Sequence, residues 1–579
     1  MQYSNEKNVL LMVALLKAHG IRKVVASPGT TNITFVASLT HDPFFQVYSS
    51  VDERSAAYMA CGMADESGEP VVISCTGATA SRNYFPGLTE AYYRKLPILA
   101  ITSTREECKI GHLIDQQIDR TCQPKDTVLC SEHLQIIKDD EDWWNCTIKA
   151  NRAILALRHN GGGPAHINLP TLYSPSFDIH ILPEVRKITR IYSYDVFPEL
   201  KNRDIAIFVG THRKMTIEEQ NLIDRFCENY NAVVFCDTCS GYHGKYALRL
   251  YGKSDELKTD ILIHLGEVSC VAYYCKPNEV WRVCEDGELR DTYRKLKYVF
   301  SMPLNVFFNH YTTAVHNGIS AKFNTYKKKE DVFFSQSNDV PFSNGWIANY
   351  LHDKMPDGCA IHLGIVSTFF AWNRLRNNPS IDFSCNQGGF GIDGNISTLL
   401  GQSLVNPNRL YFCCLGDLAF FYDMNVLGNR HFGNNVRILL INNGRGVIFR
   451  KPGNMGSIFG DGADEYISAA RHYGNMSPTL VRDYAMNLGF QYLCAKTKEE
   501  FIENAHIFIN PQMLEKPILF EAFTEVNDEI QGDNIHSSMD FKNKIRSLLG
   551  DNIYDSLRTI IKGDTKGKMG VDIGSNKKH

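Results

Sequence analysis

The sequence predicts an α/β protein of three doubly wound parallel-sheet domains with a helical C-terminal appendix. Three observations carry this expectation. Short apolar runs such as 24–26, 97–102, 204–210 and 411–415 alternate with helix-periodic segments, as in strands buried on both faces by crossover helices. Several of the runs end in polar, glycine-bearing turns, where an open parallel sheet gathers its ligands. The chain has 579 residues, 44% of them hydrophobic, enough for three or four domains with separate cores.

Taken in order, the spacing predicts a helix over 7–19 and a strand at 24–26 that ends in Ser27-Pro28-Gly29-Thr30-Thr31-Asn32. Strands follow at 47–51, 70–74 and 97–102, with helices over 53–66 and 81–95 between them. The first domain, 1–180, closes on a proline-bounded strand, 164–170, and a linker follows. A second α/β unit, 190–335, has strands at 204–210, 232–236 and 261–265 and a helix over 216–230. It lacks a G-x-G-x-x-G fingerprint at its strand ends, so it reads as a central spacer rather than a dinucleotide site. The third unit, 340–530, has a helix over 344–354 and strands at 359–363, 411–415, 437–441 and 518–522. An extension, 531–579, carries one amphipathic helix over 541–561 and a Lys/Gly tail expected to be disordered.

Composition narrows the function classes. Lys+Arg 61 against Asp+Glu 64 gives a net charge of −3, and no long basic block precedes the extreme C-terminus, so neither nucleic acid nor a membrane surface is called for. The opening residues, MQYSNEKNVLLMVALLKAHG, form an amphipathic pattern without a cleavage site, and no apolar run reaches the roughly 18 residues of a membrane span. A cytoplasmic protein acting on small molecules is expected. The 17 cysteines fall singly at strand-like places; the one C-x-x-C, Cys236 to Cys239, has no second pair at zinc spacing and reads as structural.

The chemistry is concentrated in 411–449. Two strands there each deliver a polar turn, Gly416-Asp417 after the first and Asn442-Asn443-Gly444 after the second. Asp417 offers a carboxylate oxygen, Asn443 an amide oxygen, and the Arg445 carbonyl a third. An all-oxygen set suits Mg²⁺, which keeps its other positions for water and phosphate oxygens. Both turns are also ordinary turn chemistry, so other parts of the chain must decide. One is Glu53, where the strand QVYSSV turns into the helix ERSAAYMACGMA.

Together with Gly391-Ile392-Asp393-Gly394, these residues make a recognisable set. The chain resembles the thiamine diphosphate-dependent enzymes, with pyrimidine-binding, central and pyrophosphate-binding domains in that order. Within them it is most similar to the menaquinone-pathway 2-succinyl-5-enolpyruvyl-6-hydroxy-3-cyclohexene-1-carboxylate synthase family. The phrases SPGTTN, VDERSAAYMACGMA, GPAHINLP, GIDG, GDLAFFYDMNVL and NNGRGVIF carry this likeness across nearly residues 1–525. The resemblance implies thiamine diphosphate and Mg²⁺ (or Mn²⁺) as cofactors. It gives Glu53 the carboxyl at the aminopyrimidine N1′ and Ile392 the support that bends the cofactor. Gly77, Gly416, Asp417, Leu418, Ala419, Asn443 and Phe449 become further cofactor contacts, and Asp417, Asn443 and Arg445 the metal ligands. It assigns Arg105 and Gln116 to the substrate and implies a homodimer, or a tetramer of two dimers, with each site shared between two chains.

Departures from the pattern set the functional expectation. Thr31, Gln387 and Phe370 stand where that family has cations, and a Lys-Arg pair is missing near Leu265-Gly266. Each charge-assisted hydrogen bond contributes roughly 1.5–3 kcal/mol. The reading is therefore a paralogue that acts on a 2-oxo acid donor, as decarboxylase or carboligase with an altered acceptor site. Two alternatives stand beside it: the genuine synthase, if other cations such as Arg82 or Arg445 substitute, and a non-catalytic regulatory subunit of the same fold.

Overall fold

The computed structural model describes residues 1–249, 257–272, 275–312, 320–335 and 340–537. The helix expected over 541–561 and the tail after it lie outside these. Two compact units are formed, Met1–Glu199 with Glu279–Phe307, and Leu200–Asn278 with Phe308–His579. The described strands make three sheets of six, seven and six strands, and the strand pairings within them are parallel.

In the first unit, β1 (Lys23–Ala26), β2 (Gln46–Ser49), β3 (Val71–Cys75), β4 (Ile98–Thr104), β5 (Cys130–His133) and β6 (Ala165–Pro170) lie in the order β2-β1-β3-β4-β6-β5. Alternate side chains feed opposite faces. Val24, Val72 and Leu99 join a core with the helices Lys7–Ala18 and Asp140–Ala156. Val25, Val71, Ile73 and Ala100 join another with Glu53–Ser67 and Phe85–Arg94. This is the doubly wound arrangement. The helix expected over 81–95 is broken into Thr79–Asn83 and Phe85–Arg94 at Tyr84, with Pro86 taking a first-turn position that needs no N–H.

Next along the chain come β7 (Thr189–Ile191), β8 (Ile205–Val209), β9 (Val234–Cys236), β10 (Ala247–Arg249), β11 (Leu257–Leu265), β12 (Cys275–Cys284) and β13 (Leu296–Ser301). In the first unit the part of β12 from Glu279 on, β13 and β7 are neighbours; in the second, β10, β9, β8 and β11 follow one another. The last sheet holds β14 (Ala360–Leu363), β15 (Asp382–Cys385), β16 (Tyr411–Gly416), β17 (Val436–Asn442), β18 (Gln491–Ala495) and β19 (Ile518–Phe523), in the order β15-β14-β16-β17-β19-β18. β16 and β17 are central, and the two polar turns leave their carboxyl ends side by side, Gly416 being in register with Ile441.

Candidate active site

Glu53 is the first residue of the helix Glu53–Ser67. The turn before it is set by Asp52, whose Oδ2 accepts from the Ser55 N–H at 3.1 Å and the Ser55 hydroxyl at 2.7 Å. The helix buries a stripe of small residues, and Gly87 of the helix Phe85–Arg94 packs so closely that a Cβ there would lie 2.5 Å from that of Ala57. That packing fixes where Glu53 stands. Its Oε2 accepts from Asn83 Nδ2 at 3.2 Å, and Val51 beside it is 80% exposed.

Gly77 follows β3. Its N–H donates to Thr31 Oγ1 at 3.2 Å, and a Cβ would sit 3.3 Å from the Gln116 carbonyl oxygen, so the structure brings Gly77 and Gln116 together. Thr31, where a cation was expected, is buried, and its hydroxyl is 2.7 Å from that of Thr76. Arg105 makes a two-pronged ion pair with Asp115, 3.2 Å from each guanidinium nitrogen, and its Nε donates to the Tyr173 hydroxyl at 3.0 Å. The cation assigned to substrate is thus held by an internal carboxylate.

In the second unit the turns after β16 and β17 form the cradle. Asp417 is buried at the start of the helix Asp417–Asp423, and its Oδ1 accepts from the Leu418 N–H at 2.9 Å. No donor among the described residues completes a hydrogen bond to Asp417 Oδ2 or to Asn443 Oδ1, and both atoms are buried. Burial pushes the Asp417 carboxyl up to about 7, against the opposing pull of the Leu418 and Gly444 N–H groups and the Asn475 amide. Two orphaned oxygens on adjacent strand ends are what a hard cation requires, and buried polar atoms are otherwise almost always paired. The residues fit Mg²⁺.

The other expected residues surround this turn. Leu418 and Phe449 both lie against Gly446, where a Cβ would be 3.1 Å from the Phe449 ring and 3.3 Å from Leu418. Ala419 is buried in the core beneath the turn, and Gly416 is the residue before the helix. Ile392 packs against the same core, and its carbonyl accepts from Asn395 Nδ2 at 2.6 Å. The Arg445 carbonyl accepts from the Val447 N–H at 3.0 Å, while the side chain pairs with Asp464 at 2.5 Å, which Arg450 also grips at 2.7 Å.

Several neighbours escaped sequence reasoning. Asn475 acts on Asp417 and has its own buried, unpartnered Oδ1. Asp464 clamps the arginine whose carbonyl is the expected third ligand. Lys451, buried, reaches Ser367 Oγ at 3.3 Å. No spacing signal connects these positions to the turns, because each contact is made by chain folding back across tens of residues. Gln387, a departure from the pattern, is buried: its Oε1 accepts from the Cys270 N–H at 3.1 Å, and its Nε2 lies 3.4 Å from Asp237 Oδ2. Cys236 and Cys239 are buried free thiols, and no cluster of His, Cys, Asp or Glu able to hold a metal occurs among the described residues.

A doubly wound sheet with a strand-end glutamate, and a second sheet whose central turns present unpartnered oxygens, define a thiamine diphosphate-dependent enzyme. The thiamine pyrophosphate enzyme N-terminal TPP-binding domain family matches residues 9–122. The 2-succinyl-5-enolpyruvyl-6-hydroxy-3-cyclohexene-1-carboxylate synthase of Bacteroides thetaiotaomicron is 32% identical, covering 91% of this chain and 97% of its own length. That of Bacteroides fragilis is 32% identical over 91% and 98%, and that of Flavobacterium johnsoniae 27% over 89% and 95%. The chain belongs to the family these synthases represent, and its cofactors are thiamine diphosphate and a divalent metal such as Mg²⁺.

Proposed function

We propose that the chain is a thiamine diphosphate- and Mg²⁺-dependent decarboxylase or carboligase acting on a 2-oxo acid. The observation that carries this reading is the pair of buried, unpartnered oxygens of Asp417 and Asn443. With the Arg445 carbonyl they would hold Mg²⁺, or Mn²⁺, and through it a diphosphate. When bound, thiamine diphosphate supplies a carbon nucleophile for a 2-oxo acid carbonyl and takes up the electrons left as CO₂ departs. Glu53 would share a proton with the aminopyrimidine N1′, Ile392 would support the cofactor, and Phe449 would lie beside the reacting centre. Arg105 and Gln116 orient the substrate carboxylate. The division into 1–180, 190–335, 340–530 and a C-terminal extension is part of the same reading.

A homodimer, or a tetramer of two dimers, completes the site. Supporting it, apolar side chains stand exposed beside Glu53, among them Val51 and Tyr58, and after the metal turn, among them Ile458, Tyr466 and Tyr473. Sedimentation at assay concentration tests this, a fully active monomer contradicting it.

The acceptor site is read as altered because Thr31, Gln387 and Phe370 bring no charge. A second reading, the genuine synthase reaction, is favoured by one observation: Lys451 places an ammonium at Ser367, at the start of the helix Ser367–Asn373, where a family arginine is missing. Of the other substitutes, Arg82 donates to the Asp119 carbonyl at 2.9 Å and pairs with no carboxylate among the described residues, whereas Arg445 is paired with Asp464. The deciding experiment is a screen of 2-oxo acids for CO₂ release with cofactor and Mg²⁺ present, with and without isochorismate. Release from pyruvate-like acids without isochorismate supports the first reading; turnover only of 2-oxoglutarate with isochorismate supports the second.

A further inference from the structure

A pocket of about 310 Å³ opens in the first unit at the amino ends of the sheet strands. It is bordered by Gly20-Ile21-Arg22 ahead of β1, Glu69-Pro70 ahead of β3, the end of the helix Asp140–Ala156, and the segment 187–190 leading into β7. The turn that carries Gly77 leaves the other end of β3. At roughly 3.3 Å per residue, the length of β3 puts about 16 Å between the two places. The pocket therefore lies apart from the cofactor turns.

Its charge is one-sided. Arg22, Arg158, Lys187 and Arg190 line it, against a single carboxylate, Glu69, which is already engaged by Lys23 at 2.9 Å. None of the four cations pairs with a carboxylate among the described residues, although the whole chain carries −3. Arg190 is 9% exposed; its Nε donates to the Gly287 carbonyl at 2.9 Å and its Nη1 to that of Leu155 at 3.1 Å. Two neutral carbonyls fix the guanidinium in place and leave its charge uncompensated, a costly arrangement for a buried cation unless an anion joins it. Arg22 is likewise held by a carbonyl, that of Phe44 at 3.3 Å, with the Phe44 ring beneath it.

His19 adds no charge. Its Nε2 is 3.0 Å from Asn151 Oδ1, which also accepts from the Ile188 N–H, and burial pushes the ring down to about 4. The walls are apolar, with Ile154, Leu157 and Ile188 all buried. A pocket of this size with apolar walls and several convergent charges has the character of a small-molecule site.

We infer that this pocket binds a small organic anion, a phosphate or carboxylate carried on an apolar body of about one ring. The inference stands independently of the reading of the cofactor site. Calorimetric titration of the full chain with phenyl phosphate, benzoate and inorganic phosphate tests it. Phenyl phosphate or benzoate binds once per chain, at least about tenfold more tightly than inorganic phosphate, and the better of the two names the head group. The R158Q/K187Q double variant changes two exposed side chains, so it keeps its circular dichroism and its turnover without added anion while losing about tenfold or more in affinity. R190K, which keeps the charge but not the fork, weakens binding as well. Absence of saturable binding by either organic anion, equal binding of inorganic phosphate, or unchanged affinity in R158Q/K187Q would overturn the inference.

Discussion

Asp417 and Asn443 stand at the carboxyl ends of adjacent strands, and each buries a side-chain oxygen that no donor among the described residues meets. Such a pair opposes folding of the metal-free chain and favours binding of a cation. Asp417→Asn should therefore raise the unfolding midpoint of the metal-free protein, by the equivalent of about 1–3 kcal/mol, while removing metal affinity. Urea titrations in chelator compare the two chains. A destabilised Asp417→Asn variant would show that the carboxylate is satisfied within the fold.

Glu53→Gln keeps the shape and the Asn83 contact but cannot share a proton with N1′. Thiamine diphosphate should still bind, with turnover lower by about 10²–10⁴-fold. Steady-state rates and the exchange rate of the cofactor C2 proton give the answer. Unchanged exchange would remove Glu53 from that role.

Arg105 is held by Asp115 in the structure. Asp115→Asn should release the guanidinium for a substrate carboxylate and lower KM for a simple 2-oxo acid by about tenfold, whereas Arg105→Gln should raise it similarly. If Thr31, Gln387 and Phe370 leave the second carboxylate without a cation, pyruvate should exceed 2-oxoglutarate in kcat/KM by tenfold or so, since that carboxylate would lie desolvated at a cost of roughly 1–3 kcal/mol. The kcat and KM values of the two variants on both acids test both statements, and no change in either variant would place Arg105 outside the substrate site.

His166 is buried between two hydroxyls, Thr102 Oγ1 2.7 Å from Nε2 and Ser131 Oγ 2.8 Å from Nδ1. Thr102 donates to Asn168 Oδ1 at 2.7 Å, so it accepts from the histidine Nε2–H, and Ser131 donates to Nδ1. Burial pushes the ring down to about 3, with Arg120 and His133 adding to the effect. The folded value lies below the unfolded one, so the unfolded chain binds the extra proton. Stability is full above pH 6.5 and falls as pH drops toward the folded value, by about 2 kcal/mol between pH 7 and 5 from this ring. His166→Gln should flatten that part of the urea-midpoint profile, and an unaltered slope would mean the ring is already charged in the fold.

Strands buried on both faces were the most legible part of the chain. The strands β3, β4, β16 and β17 are buried along nearly their whole length and mostly apolar because helices cover both sides. Two edge strands were not: β5, Cys-Ser-Glu-His, and β15, Asp-Phe-Ser-Cys, are half-buried throughout and carry no periodic signal. β12 includes Lys276-Pro277-Asn278 and reads as a loop until its neighbours are known. At the site, Asp417 and Asn443 could be read because strand-end turns are local. The Arg105–Asp115 pair, the Asp464 clamp and the approach of Asn475 depend on how loops fold back, which no local pattern encodes.

On the proposed reading, the turns after β16 and β17 hold a divalent metal and, through it, thiamine diphosphate. Calorimetric titration of thiamine diphosphate into chelator-treated protein, with and without Mg²⁺, tests it most directly. Saturable binding is expected only when the metal is present, and should be lost in Asp417→Ala because the carboxylate of the turn is gone. Equal binding in chelator, or full metal-dependent binding by Asp417→Ala, would contradict it.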